Sequence, residues 1–281
     1  MVRRVAKPRT WVVGIAGILF CSTAALAQTQ PQEPFQVAAL SRVATELTDD
    51  CKVKNAYGSR YALRGLRKAL KEHRPVLEVL AIGSSSTVGI GASSPAAAYP
   101  VRLASNLETF LAGYDVEITN RGISGETGQP AAERIKLEVV DNKPDLVIWQ
   151  VGTNDAMARI DDADFANMLR STLRWLKENR VDVILIDPQY VERLATDENY
   201  TGIVKTIHDV AREEKVLLVN RYEAMADLSK QRGNAAFLAQ DRFHLNDLGY
   251  RCMAEYAARA IVAGILQAET EAANPAPAPN N

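Results

Sequence analysis

The chain has few of the residues that specialised binding proteins concentrate. Three cysteines and three histidines in 281 residues exclude a disulfide-dense scaffold and leave little for a thiolate metal site. An excess of either charge is also missing. Thirty-three Lys and Arg stand against 34 Asp and Glu, a net of −1, so the electrostatic footprint of a nucleic-acid binder is absent. No Gly-Lys-Ser/Thr follows the serine-rich segment 83–87, which excludes a phosphate loop, and Gly89-Ile90-Gly91 lacks the third glycine of a dinucleotide fingerprint. The G-x-S-x-G elbow is absent too, because Thr87 holds its last position. Asp161-Asp162-Ala163-Asp164 lacks the glycine and distal glutamate of a calcium loop and reads as a solvated helix start. What is there, 47% hydrophobic and 24% charged, is the composition of an ordinary folded domain.

The N-terminus carries an address. Arg3, Arg4, Lys7 and Arg9 precede an apolar run over 11–20, and small residues follow, ending in Ala25-Leu26-Ala27. A basic region, an apolar run and an A-x-A site in that order predict a secretory signal peptide over 1–27. The run is short of the roughly 20 apolar residues that span a bilayer, so the expected location is periplasmic or secreted, with no stable membrane anchor after cleavage. The residues after Arg3-Arg4 match a twin-arginine signal weakly, and Phe20 before Cys21 is too bulky for a lipobox. Cleavage leaves Cys51 and Cys252 as the only thiols in an oxidising compartment, either bridged or separately buried.

Residues 28–75 read as a polar linker (28–35) and an N-terminal helical extension, with helical spacing over 36–49 and 59–73. Short apolar runs then alternate with helical stretches. Strands are expected at 76–82, 116–119, 146–151, 181–186 and 216–219, and helices at 99–111, 131–139, 165–177, 200–214 and 246–267. This alternation predicts an α/β domain over 76–267, with a five-stranded parallel sheet covered on both faces and ligands at the carboxyl ends of the strands. Residues 268–281, with Pro-Ala-Pro-Ala-Pro and no apolar face, read as a disordered tail.

Four polar constellations fall where such a sheet presents its rim. Gly83-Ser84-Ser85-Ser86-Thr87 follows the first strand, Asn120 to Thr127 with Gly125 the second, and Gly152-Thr153-Asn154-Asp155 the third, while Asp241-Arg242-Phe243-His244 precedes the last helix. Taken singly, each is as well explained by a turn or a cap. Together they hold what acyl transfer needs: a nucleophile, a base, an orienter for the base, and donors for an oxyanion. Ser85, His244 and Asp241 can fill the first three roles, with Asp241 three residues before the base. The Ser85 N–H, the Gly125 N–H and the Asn154 amide can supply the donors. His73 and His208 read as surface or packing residues.

These blocks, in this order, resemble the SGNH (GDSL-type) hydrolase family over about 76–267. The resemblance implies a flavodoxin-like three-layer α/β/α sandwich and a serine esterase needing no cofactor and no metal. It implies Ser85 as nucleophile, Asp241 and His244 as its partners, and Gly125 and Asn154 completing the oxyanion hole. The first block departs from the family's usual Gly-Asp-Ser, since Ser84 stands at the Asp position, and three successive serines make the assignment rest on alignment with Gly83. The expected substrate is a small acyl ester, acetyl or short-chain, including those on an acylated glycan. The alternatives are a lipase- or thioesterase-type hydrolase, an acyltransferase on the same triad, and a non-catalytic glycan- or lipid-binding descendant.

Overall fold

Successive side chains of a strand point to opposite faces of the sheet, and here both sets are apolar. Leu77 and Val79, Leu146 and Ile148, Ile184 and Ile186, and Leu217 and Val219 are buried on one face. Leu80 and Ile82, Val147 and Trp149, Val183 and Leu185, and Leu218 are buried on the other. A sheet with two such faces is stable only with helices on each side.

The computed structural model describes residues 47–54, 61–72 and 74–274. The expected signal peptide (1–27), linker, most of the helix over 36–49, His73 and the end of the tail lie outside them. Five parallel strands, β1 (Val76–Gly83), β2 (Asp115–Gly122), β3 (Leu146–Gln150), β4 (Asp182–Ile186) and β5 (Leu217–Val219), form one sheet in the order β2-β1-β3-β4-β5. In chain order the helices are α1 (Arg64–Lys71), α2 (Ser85–Val88), α3 (Tyr99–Phe110), α4 (Gly128–Asn142), α5 (Thr153–Met157), α6 (Asp162–Glu178), α7 (Glu198–Glu213), α8 (Arg221–Arg232) and α9 (Asp247–Ala273). Side chains of α1, α3, α8 and α9 pack on the first face, and those of α4, α6 and α7 on the second. This is the expected three-layer sandwich. The strand order reverses direction between β1 and β3, which places a crevice at their carboxyl ends.

The structure corrects the sequence expectations at α1, α8 and α9. Helix α1 begins only at Arg64, because the Leu63 N–H is committed to the Gly264 carbonyl of α9. Helix α9 runs on to Ala273 where a tail was expected from 268. Glu269 pairs there with Arg67 and Lys71, and Glu271 with Arg64, which fastens the last turns to α1. Helix α8 was not expected at all; its buried apolar residues are only Ala224, Met225 and Leu228, too sparse a stripe to show as periodicity. Asp161, read as a solvated helix start, accepts from the Ala163 and Asp164 N–H groups and caps α6. Cys51 and Cys252 form a disulfide, with their Cα atoms 5.1 Å apart. Among the described residues no helix is long and apolar enough to cross a membrane.

Candidate active site

Strand register brings the first two blocks together before any side chain is considered. Gly83 lies directly beside Gly122, and neither position can carry a side chain. A Cβ on Gly83 would meet the Gln150 carbonyl at 2.7 Å, and one on Gly122 would meet the Val88 nitrogen at 2.5 Å. The chain can therefore leave β1 and turn at once into α2 with its first residue, Ser85, at the sheet rim.

Each of the three serines has a different partner. Ser84 donates from its N–H and its Oγ to Gln150 Oε1, at 3.0 and 3.1 Å. Ser86 Oγ is bonded to Arg221 Nη1 at 3.1 Å. Ser85 Oγ lies 3.1 Å from His244 Nε2. The departure at Ser84 thus has a structural counterpart. The backbone N–H of Ser84 fixes the Gln150 amide with its oxygen toward the loop, so a neutral hydroxyl at position 84 donates where a carboxylate would face that oxygen.

His244 is held from its other side. Its Nδ1 is 2.5 Å from Asp241 Oδ2, while Asp241 Oδ1 accepts from the backbone N–H groups of Phe243 and His244 at 2.9 and 3.0 Å. Burial raises the Asp241 carboxyl, but the His244 hydrogen bond and those two N–H groups outweigh it and hold the group below its ordinary value. A carboxylate acceptor at Nδ1 places the proton there and leaves Nε2 as the acceptor facing Ser85. The loop carrying His244 is pinned to the rest of the rim. Ala239 N–H donates to the His244 carbonyl, and a Cβ on Gly91 would meet the Leu245 carbonyl at 2.4 Å.

The second block is joined to the first by its backbone and to the third by a side chain. Ile123 N–H donates to the Gly83 carbonyl, and Glu126 N–H closes a turn onto Ile123. Gly125 sits in that turn at φ +80°, a conformation glycine adopts without strain. Asn154 Nδ2 donates to the Glu126 carbonyl at 2.7 Å, which leaves its second N–H to point elsewhere. How the turn is braced was not legible in the sequence. Arg134 of α4 grips the Glu126 carboxylate with two hydrogen bonds and donates to the Arg121 carbonyl. Asp155, buried, accepts from the Gly128 N–H at 2.7 Å, and burial raises its carboxyl above the ordinary range.

His208 differs from its expected role. Its Nε2 lies 2.8 Å from Oδ2 of the fully buried Asp187, so it belongs to an interior polar cluster beneath the site. An open cleft of about 790 Å3 borders Asp241, lined by Gly91, Ser93, Gln240, Asn246 and Asp247 among others. A second cleft, about 550 Å3, lies at the amino ends of the strands around Asp182 and Arg64, away from every residue above.

Residues 50–267 match the sequence model of the Non-GDSL lipase-like family. The chain is 29% identical over 188 residues to an acetylxylan esterase of Geobacillus stearothermophilus, covering 61% of this chain and 81% of that protein. It is 26% identical over 115 residues to esterase TesA of Pseudomonas aeruginosa, covering 38% of this chain and 53% of TesA. The crystal structure of the Geobacillus acetylxylan esterase superposes with a TM-score of 0.57 at 25% identity, covering 66% of this chain and 94% of that one. Solved variants of that enzyme include catalytic mutants at a serine, an aspartate and a histidine, the last two three positions apart.

Proposed function

The chain belongs to the Non-GDSL lipase-like family, and from that premise we propose that it is an exported serine esterase that hydrolyses acetyl or short acyl esters carried on carbohydrate. The observation that supports this reading best is the unbroken hydrogen-bonded series from Ser85 Oγ through His244 to Asp241, 3.1 and 2.5 Å. The Geobacillus acetylxylan esterase has catalytic mutants at a serine, an aspartate and a histidine, the last two with the same three-residue spacing, and that set of residue types speaks for the same roles here.

In this mechanism His244 Nε2 takes the Ser85 proton as Oγ attacks the ester carbonyl, and Asp241 stabilises the imidazolium that forms. The oxyanion is received by the Ser85 N–H, the Gly125 N–H and the free N–H of the Asn154 amide. Ser85 is the first residue of α2, so its N–H has no acceptor within the helix and is available for this. Collapse of the tetrahedral species breaks the bond to the alcohol, which leaves with the proton held on His244. Water then attacks the acyl-enzyme with His244 again as base.

Two features favour a polar, bulky substrate. Asp241 is 47% exposed and His244 20%, so the relay lies near the surface, where an acyl group hanging from a polymer can reach it. The cleft beside it sets Ser93, Gln240 and Asp247 among Leu238, Ala239 and Leu248, a mixed lining that suits the hydroxyls and the apolar ring faces of a sugar. Export is supported by the signal-like sequence over 1–27 and by the Cys51–Cys252 disulfide, which suits an oxidising compartment.

The test is hydrolysis of p-nitrophenyl esters of increasing acyl length and of acetylated xylo-oligosaccharides, with Ser85→Ala alongside. The expected result is turnover of acetyl substrates that Ser85→Ala abolishes. A strong preference for long acyl chains would overturn the substrate assignment. Undiminished turnover in Ser85→Ala would overturn the mechanism, and acyl transfer to an added alcohol in place of hydrolysis would make the protein a transferase.

A further inference from the structure

A buried cationic cluster lies directly beneath the nucleophile, and the chemistry above does not use it. Arg221, the first residue of α8, is 1% exposed. Its Nε donates to the Asp187 carbonyl at 2.8 Å, and its Nη1 to Ser86 Oγ at 3.1 Å, with Met253 Sδ at 3.7 Å. Its Nη2 finds no acceptor among the described residues. Burying a guanidinium without a carboxylate on its fork is unfavourable. The nearest negative charge is on Asp187, whose own oxygens are occupied by His208 Nε2 at 2.8 Å and the Tyr222 N–H at 2.9 Å.

This arrangement ties three strand ends to one another. Asp187 directly follows β4 and Arg221 comes two residues after β5, while Ser86 is the second residue of α2, after β1. The guanidinium thus connects the far side of the sheet to the residue next to Ser85. A planar fork with fixed donor directions suits that task better than a flexible ammonium. The groups facing Arg221 are Asp187 from the end of β4, Tyr99 of α3, Tyr200 of α7 and Tyr250 of α9, and three of these four are neutral phenols at working pH. Burial raises Tyr99 to about 12, and it pushes Tyr200 and Tyr250 higher still. Asp187 shares its charge with His208. Burial lowers the His208 imidazole, but the Asp187 carboxylate outweighs this and holds it above its ordinary value.

Taking Ser85 as the nucleophile, we infer that Arg221 is a positioning residue for it. Through Ser86 it holds the first turn of α2 so that Ser85 Oγ stays directed at His244, and it sets a fixed positive charge close to the reacting serine. That charge favours the oxyanion over the neutral ester.

Four variants test this on the full chain: Arg221→Gln, Arg221→Lys, Ser86→Ala and Ser85→Ala, each checked by circular dichroism and thermal melting. In Arg221→Gln, kcat should fall roughly 10- to 100-fold with KM little changed, the scale expected of a misplaced nucleophile. Arg221→Lys keeps the charge and the donor to Ser86 within reach, and should recover part of kcat. Ser86→Ala should lower kcat several-fold with KM little changed. If Arg221→Gln does not fold, the Lys and Ser86 variants decide: wild-type kcat in both would overturn the inference. A folded Arg221→Gln whose loss falls on KM and not on kcat, or an Arg221→Lys no more active than Arg221→Gln, would also overturn it, leaving a buried strut. Should Ser85→Ala remain active, the serine mechanism itself would be wrong. An inactive Ser85→Ala beside fully active Arg221 variants would remove only the role of Arg221.

Discussion

Replacing Asp241 by asparagine should damage the enzyme more than replacing it by alanine. Oδ1 of Asp241 already accepts two backbone N–H groups, from Phe243 and His244, and Oδ2 faces His244 Nδ1. An asparagine must keep its oxygen at the two N–H donors. The opposite flip would lose two hydrogen bonds, about 1 kcal/mol each, and set an NH2 against two donors. Its amide nitrogen then points at Nδ1 and makes that atom an acceptor, which moves the imidazole proton to Nε2 and leaves no base facing Ser85. In a buried triad the wrong tautomer lowers kcat by about 10⁴-fold. With Asp241 about half exposed, the fall should be roughly 10³- to 10⁴-fold. Alanine imposes no tautomer, so that variant should retain roughly ten times the kcat of the asparagine variant or more. The assay is p-nitrophenyl acetate hydrolysis at saturating substrate, with the acyl-enzyme burst followed separately. Equal or higher kcat for Asp241→Asn than for Asp241→Ala would refute the tautomer reasoning.

Asn154→Ala removes the proposed oxyanion donor and the bond to the Glu126 carbonyl; kcat should fall roughly 10²- to 10³-fold, and wild-type turnover would take Asn154 out of the site. Asp182 gives a pH-dependent stability. Burial raises its carboxyl to about 6 from 3.8, against the pull of the Leu66 and Gly65 N–H groups. Folding therefore takes up a proton between those values, and stability is lost as pH climbs through the window, by at most about 3 kcal/mol. Asp182→Asn can still accept from Leu66 and should melt several degrees higher at pH 7.5, with the gain vanishing near pH 4; an equal gain at both would refute the assignment. The Cys51–Cys252 bridge spans 201 residues, and chain entropy assigns about 5 kcal/mol to closing such a loop. A Cys51→Ala, Cys252→Ala protein should melt roughly 10 °C or more below wild type, and an unchanged Tm would show that the bridge does not constrain the unfolded chain.

Much of the architecture was readable because it rests on local patterns. Strands β1, β3, β4 and β5 were visible as apolar runs, since strands buried on both faces need apolar residues at consecutive positions, while the edge strand β2 showed only through Val116 and Ile118. The relay was readable from Asp241 and His244, because three residues is the reach of a carboxylate back to Nδ1. Neither pattern extends to residues whose partners are remote. Gln150 looked like the end of a strand, yet its amide oxygen is the acceptor for the loop at Ser84. Arg134 looked like one more helix charge, yet it braces the turn containing Gly125. His208 was set aside as a packing residue because nothing near it in sequence is its partner; Asp187 lies 21 positions away.

The amino-acid order by itself determined the α/β alternation, the rim on which polar residues gather, and the candidate base and orienter, with the nucleophile narrowed to a run of three serines. These follow from periodicities of two and 3.6 residues and from short-range reach. Only the tertiary structure decided which of Ser84, Ser85 and Ser86 faces His244, that Cys51 meets Cys252, and that a guanidinium bonds Ser86. Those outcomes depend on sheet order and on which strand ends become neighbours. The contacts span 66, 135, 159 and 201 positions, distances over which sequence spacing carries no geometric information.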